Sequence, residues 1–396
     1  VRSMKKWLSA ALVACLLASI SGCAPSSIDK QNQVVQKKND KKEKAIIPNY
    51  QISDQYYKTI LPFKPAKAQG LIVQNLNTRY DINEFETGLM RIAKQEFSPD
   101  KYLFQEGQYL SKKTISSWLQ RKYTRKQLKE QGLKPSENLG LNPVDDEKGS
   151  IDERNKKSPI YLAHITEQDY LKQMNDNSVQ LGGVVIGLAL NSVHYYQKQD
   201  YGATYEYKIP HKQVEEQGKK IANEVAKRIR KIKGLENVPV VIALFEQASK
   251  DSVVPGHFFA YTTLGKGDST IGNWNKLDEK YYLFPSDQAD ADHRDDNTYF
   301  LNFKEDVQKY FEDTTGVVGR AFYKDGQLNN LQIDITIQFN GEAEAIGFTQ
   351  YVSGLILNHF PDYVPIEVNI SSVEGPEALI VKKANAKEPF VHIYGQ

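Results

Sequence analysis

The chain has 396 residues, with 51 Lys and Arg against 49 Asp and Glu, a formal net charge of +2 and 40% hydrophobic residues. Charges so nearly balanced create no global field to gather polyanions, which argues against nucleic acid as a partner. A chain this long and this apolar can bury a large core, so whole-chain disorder is excluded and two domains or one two-lobed domain are expected.

Met4-Lys5-Lys6 forms a short basic head, an apolar run extends from Trp7 to Ile20, and Ile20-Ser21-Gly22-Cys23 closes it in the pattern of a bacterial lipobox. These are the three regions of a secretory signal. A stop-transfer helix needs about 20 mostly apolar residues. This run is shorter, is interrupted by Ser9 and Ser19, and passes at once into polar chain, so a permanent membrane span is rejected. The lipobox pattern implies lipid attachment at the sulfur of Cys23 and cleavage between Gly22 and Cys23, with residues 1–22 as signal peptide. Membrane lipid is then the first expected partner, since buried acyl chains contribute about 0.8 kcal/mol per methylene. Cys15 would leave with the signal, so the exported body has no disulfide and no thiol nucleophile. The expected place is the extracytoplasmic face of a cell membrane, and lipidation without other cysteines suits a Gram-positive surface.

Residues 23–49 are rich in Lys, Gln and Asn, lack aromatic residues and show no sustained apolar period, which predicts a lipidated flexible tether. The folded body is expected from Tyr50. Leu61-Pro62-Phe63-Lys64-Pro65 reads as extended chain and Leu71 to Leu76 as a strand. Asp81, with Glu84 three residues on, predicts a capped helix whose apolar face is Phe85, Leu89, Ile92 and Ala93. Ser111 caps a second helix bearing Ile115, Trp118 and Leu119. Residues 140–157 read as a polar loop, Ile160 to His164 as a strand, and Thr166 with Asp169 as another helix start.

Two stretches then follow one order. Val184–Leu190, Tyr205–Ile209, Val214–Ile232 and Val240–Phe245 read as strand, strand, helix and strand, and so do Val317–Tyr323, Leu331–Phe339, Ala343–Leu357 and Ile366–Ile370. Each last strand is opened by Val-Pro, at Pro239 and Pro365. The expected fold is α+β: two related β-β-α-β units forming mostly antiparallel sheets with helices packed on one face. Residues 50–268 make the amino-terminal lobe with the first unit, and residues 269–396 the carboxyl-terminal lobe with the second.

The lipobox, the Lys-rich tether, Ile60-Leu61-Pro62-Phe63, Asn83-Glu84-Phe85-Glu86-Thr87-Gly88-Leu89 and Val238-Pro239-Val240 together resemble the CamS family of Gram-positive sex-pheromone precursor lipoproteins. Phe348-Thr349-Gln350-Tyr351-Val352 and Gly375-Pro376-Glu377-Ala378 extend the resemblance to the second half. It implies a membrane-anchored α+β body of two related units with no assigned chemistry. In some members the excised signal peptide yields a short hydrophobic pheromone sensed by enterococci. Leu16 to Gly22 here lacks the aromatic residue and alanine-rich finish of such a peptide, so pheromone activity is not expected of it.

Motifs for catalysis are missing from the sequence. There is no His-Glu-x-x-His string, and His164, His194, His211, His257, His293, His359 and His392 are scattered singly. No Gly-x-Ser-x-Gly elbow occurs, and Gly265 and Gly267 lack phosphate-loop spacing. The acidic run at residues 287–296 holds Asp287, Asp290, Asp292, Asp295 and Asp296, but Arg294 stands where a calcium loop needs an oxygen, so a solvated loop is expected. Glu342 and Glu344 suit a helix start. Lys227, Arg228, Arg230, Lys231 and Lys233 read as a solvated helix end, and Tyr195, Tyr196, Tyr201, Tyr205, Tyr207, Tyr281 and Tyr282 as packing residues or the wall of a stacking groove. No catalytic residue, metal site or cofactor is assigned. The expected function is that of a non-catalytic envelope lipoprotein binding a peptide, a cell-wall component or a protein partner. The alternative is an extracytoplasmic enzyme with dispersed catalytic residues, which a cleft of clustered ionisable groups would favour over an open tyrosine groove.

Overall fold

The computed structural model describes residues 33–38, 41–53, 56–310, 314–339 and 341–395. Gly22 and Cys23 lie outside the described residues. The amino-terminal body holds β1 (Gln33–Lys38), β2 (Lys41–Ile46), α1 (Leu71–Asn75), α2 (Arg79–Ala93), β3 (Leu103–Glu106), α3 (Lys112–Leu119), α4 (Arg125–Glu130) and α5 (Ile151–Lys157). It continues through β4 (Leu162–Gln173), β5 (Ser178–Asn191), β6 (Val193–Gln197), β7 (Thr204–Lys208), α6 (His211–Ile229), β8 (Val240–Gln247), β9 (His257–Leu264) and β10 (Asn275–Lys276). The carboxyl-terminal body holds β11 (Glu279–Phe284), α7 (Asp287–Asp292), α8 (Arg294–Tyr310), β12 (Thr314–Lys324), β13 (Gln327–Ile337), α9 (Glu342–His359), β14 (Ile366–Ser372), β15 (Gly375–Lys382) and β16 (Phe390–Ile393).

The α+β class with mostly antiparallel pairing is what the chain adopts. In the first sheet β5 lies between the antiparallel β4 and the parallel β8, with Val184 opposite Val240 and Asn191 opposite Gln247. β5 and β8 are unbroken apolar runs because both of their faces are buried. Val184, Ile186, Leu188, Val240 and Ile242 meet Val214, Ile221, Val225 and Ile229 of α6. Val185, Ala189, Val241, Ala243 and Phe245 meet Phe85, Leu89 and Ile92 of α2 on the other side. A Cβ at Gly187 would come within 2.7 Å of the Phe85 ring, so glycine there is what lets α2 settle onto the strand. The expectation of helices on one face alone therefore holds only for the second sheet, ordered β11-β12-β13-β14-β15-β16. There Phe300, Phe303 and Val307 of α8 and Phe348, Val352 and Ile356 of α9 cover one side.

Both bodies contain an antiparallel hairpin, a crossing helix and a strand parallel to the hairpin's second member. The Val184 N–H donates to the Pro239 carbonyl at 3.1 Å and the Leu331 N–H to the Pro365 carbonyl at 3.1 Å. The expected strand-for-strand matching fails, however. Tyr205–Ile209 is no counterpart of Leu331–Phe339: it supplies β7, which pairs with β6 in a separate two-stranded ribbon. By pairing, β5 corresponds in position to β13, and β4 to β12.

Other expectations need correction. The chain expected to be a tether is paired from Gln33 onward: β1 and β2 form a hairpin, and Val35 and Gln36 join the start of β5. Val34 and Ala45, opposite each other, are buried with Ile60, Leu103, Leu171 and Val179. Two apolar positions among many lysines were too sparse a pattern to register. The junction of the bodies falls between Lys276 and Glu279, since β10 belongs to the first sheet, not at residue 268. Leu71–Leu76 is mostly helix, and only Leu71 within α1 is buried. Thr166 starts no helix, because β4 is held extended by β3 on one side and β5 on the other. Residues 140–157 include α5, opened by a Ser150–Glu153 capping box. Residues 287–296 are two helix segments, α7 and the start of α8, separated by His293, and Asp292 accepts from the Tyr282 hydroxyl at 2.9 Å and from Lys280 at 3.1 Å. No helix among the described residues is long and apolar enough to cross a membrane.

Candidate ligand cleft

The geometry of the site follows from α2. Its N-cap is Thr78, three residues before the expected Asp81, whose carboxylate lies in the first turn. Asp81 accepts from the Ala248 N–H at 3.0 Å and the Gly256 N–H at 2.8 Å, fastening the helix start to the loop between β8 and β9. From there the helical period deals successive residues to three neighbours. Phe85, Leu89 and Ile92 enter the core. Glu84 and Arg91 face the carboxyl-terminal body, and Gly88 sits so close that a Cβ would lie 2.6 Å from Glu84 and 2.8 Å from Phe258. Glu86 and Met90 line an open cleft.

The cleft has a volume of about 400 Å³. Ile72 and Val73 of α1, Phe104 of β3, Ile115 of α3 and Ile165 of β4 form its apolar walls. Glu86, Glu106, Glu167 and His164 bring the ionisable groups. Burial at the mouth, and then the charge of Glu106, raise the pKa of Glu86. The Glu106 carboxylate accepts from the Ala66 N–H. His164 is 3% exposed, and burial depresses its pKa to about 4. The Asn75 amide lies 3.1 Å from its Nδ1, so the neutral ring accepts there and carries its hydrogen on Nε2.

Behind the cleft, Glu167 and Asp169 hold the segment between β3 and α3. Glu167 accepts from the Leu110 N–H at 2.6 Å and the Tyr109 N–H at 3.1 Å, and Asp169 from the Gln108 N–H at 3.0 Å. Burial raises both carboxyls, Asp169 most, and the charge of Glu167 adds to the rise at Asp169. Asp169 Oδ1 has no conventional partner when both acids are ionised. A proton shared with Glu167 would supply one. Lys38 closes the outside, donating to the Gln108 carbonyl at 2.8 Å and lying over the Tyr109 ring.

The residues singled out in sequence do not converge. Tyr196 stacks on His194 and Tyr205 in the β6–β7 ribbon, Tyr201 is fully exposed, and Tyr281 is in the junction of the two bodies, so no single groove collects the tyrosines. Arg230 of the basic run is structural, donating to the carbonyls of Leu235, Val238, Gly265 and Asp268. Arg228 pairs with Glu224 and lies over Trp118. His211 pairs with Glu246, His359 with Asp306, and no group of three or more metal-ligating side chains occurs among the described residues. The cleft residues escaped sequence reasoning because they come from α1, α2, β3, α3 and β4. Their one local signal was the pair of acids in Glu84-Phe85-Glu86, which face different neighbours.

An α+β body of two sheets with a lateral cleft defines a class rather than a chemistry. The chain belongs to the CamS family: the profile described as CamS sex pheromone cAM373 precursor matches residues 63–388. A sex pheromone precursor from Lactobacillus salivarius subsp. salivarius has a similar crystal structure, with 36% identity and a TM-score of 0.80 over 89% of this chain and 99% of that one. The C-terminal domain of the sex pheromone staph-cAM373 precursor from Staphylococcus aureus is also similar, with 36% identity and a TM-score of 0.71 over 81% of this chain and 99% of that one. No curated protein sequence matches.

Proposed function

We propose that this protein is a lipoprotein anchored through Cys23 to the outer face of a cell membrane, where its cleft binds a ligand without transforming it. The observation that carries binding is the cleft itself, whose size lies within the roughly 300–1,000 Å³ of small-ligand sites and whose walls are apolar with a few polar groups. A cleft with clustered acids is also the feature that would favour the enzyme alternative. Against it, Glu167 is saturated by the backbone N–H groups of Tyr109 and Leu110, so it is not poised to act on a substrate. The anchor rests on the leader and lipobox.

Cys23→Ser should abolish incorporation of labelled palmitate and move the protein from the membrane fraction to the medium. Labelling that survives the substitution overturns the anchor. For the cleft, Val73→Trp is suited because Val73 is 68% exposed and lines the opening, so a bulky ring can cover it without entering the core. Material co-purifying from membranes with the native lipoprotein should be lost with Val73→Trp while the thermal midpoint stays unchanged. An identical set of captured molecules would sink the cleft as the binding site.

A further inference from the structure

We propose that the cleft takes an alkylammonium group of the lysine side-chain kind between Glu86 and Glu106, its aliphatic stem lying along Ile72, Val73 and Met90. This rests on the reading that the cleft is a binding site and adds the chemical class of the ligand.

Three observations carry it. First, the charges are left uncompensated: among the described residues Glu86 has no ion pair, the charged neighbour acting on it is another acid, and Glu106 is met by a backbone N–H. Burial and the charge of Glu106 disfavour the ionised form of Glu86, and an incoming ammonium relieves that cost. Second, the wall between them is aliphatic, and the stem of a lysine is a methylene chain that packs on such a surface while its head stays with the acids. Third, His164 is almost wholly buried, its Nδ1 is taken by Asn75, and its Nε2–H has no partner among the described residues although the ring lines the cleft. That hydrogen calls for an acceptor on the ligand. An ammonium at one end of a short aliphatic stem and a carbonyl at the other is the outline of a lysyl unit, which a free amine matches only in part.

The test is calorimetric titration of the full lipoprotein in phosphatidylcholine nanodiscs at low salt. The probes are Nα-acetyl-lysine amide, n-butylamine and the neutral Nα-acetyl-norleucine amide, whose butyl side chain lacks the ammonium. The lysine probe should bind at least about tenfold more tightly than the norleucine probe, since the ammonium makes charge-assisted hydrogen bonds to the acids and the norleucine side chain makes none. Glu86→Gln with Glu106→Gln should remove that preference, and Val73→Trp should remove binding altogether, with unchanged melting as the check on folding. A lysyl source is supported when the lysine probe also exceeds n-butylamine and His164→Phe erases the difference. Equal binding of both amines supports a free amine as the source. If the norleucine probe binds as well as the lysine probe and Val73→Trp blocks both, the cleft remains a binding site and the ammonium assignment is wrong. If no probe binds, the assignment is also wrong, and capture from membranes decides the wider reading independently.

Discussion

Arg91→Ala should destabilise the protein by about 3–5 kcal/mol, the usual consequence of stripping a buried ion pair of one partner. It should also split the calorimetric unfolding transition in two. Arg91 of α2 reaches across the junction of the bodies, donating to Glu279 of β11 at 2.7 Å and 3.2 Å and also to Glu84 beside it on the helix. The side chains of Glu84 and Glu279 are 6% and 2% exposed, so their charges have little water to fall back on. The Tyr281 hydroxyl donates to the other oxygen of Glu84, and the guanidinium lies over the Phe322 ring. Burial alone would lower the Arg91 pKa, but the two acids raise it, whereas burial raises Glu84 in spite of the arginine. Both are therefore raised, one by pairing and the other by burial, because one cation is shared by two carboxylates. Each body has its own core, and among the described residues this network is the most buried polar contact between them, with Arg320 over Tyr80 as a lesser link. The deficit of Arg91→Ala should shrink as the pH is lowered, because protonation discharges the orphaned Glu84, whose carboxyl burial already raises. A single transition with a loss below about 1 kcal/mol, the scale of an exposed pair, would refute the clamp.

Glu167→Ala should lower stability by roughly 2–4 kcal/mol, because the buried N–H of Leu110 and the half-buried N–H of Tyr109 lose their acceptor and each unsatisfied donor costs about 1–3 kcal/mol. Asp169→Asn should do the reverse at neutral pH. Both carboxyls have folded-state pKa values above their ordinary range. The folded chain therefore binds these protons more tightly than the unfolded chain. The resulting stability is complete below the ordinary carboxylate range and is lost as pH rises through the raised values. An amide at residue 169 keeps a donor for Glu167 and deletes the penalty. Melting curves from pH 4 to pH 8 should show Asp169→Asn gaining on the native protein as pH rises. The difference between the two curves isolates the pair, since carboxylates such as Asp145 and Asp176 are shifted the other way by Arg154 and Lys37. A difference independent of pH would show that no proton is shared.

Much of the fold was legible because it is written in local periods. The stripe Ile221, Val225 and Ile229 marked α6, Ser111 marked the start of α3, and the Val-Pro pairs marked the strands that return parallel to β5 and β13. Errors arose where a local pattern was outvoted by neighbours. Thr166 and Asp169 have the spacing of a helix cap, yet they stay extended because β4 is flanked on both sides, and Asp169 is spent on Gln108 instead. Asp81 has the chemistry of a cap and serves as one for another segment, the loop after β8.

By itself the sequence determined the α+β class, the family, the helices with their buried stripes, and, through Ile20 to Cys23, the expected address at the membrane. Those features depend on spacing along one strand or helix, or on a short linear motif. Tertiary structure alone decided that Glu84, Phe85 and Glu86, adjacent in sequence, would serve the junction, the core and the cleft. A helix turns about 100° per residue, so its period tells that such residues part company but not what each will meet. The partners Glu279, Tyr281, Phe245 and Glu106 come from distant segments, and only the packing of the two sheets brings them to the three faces of α2.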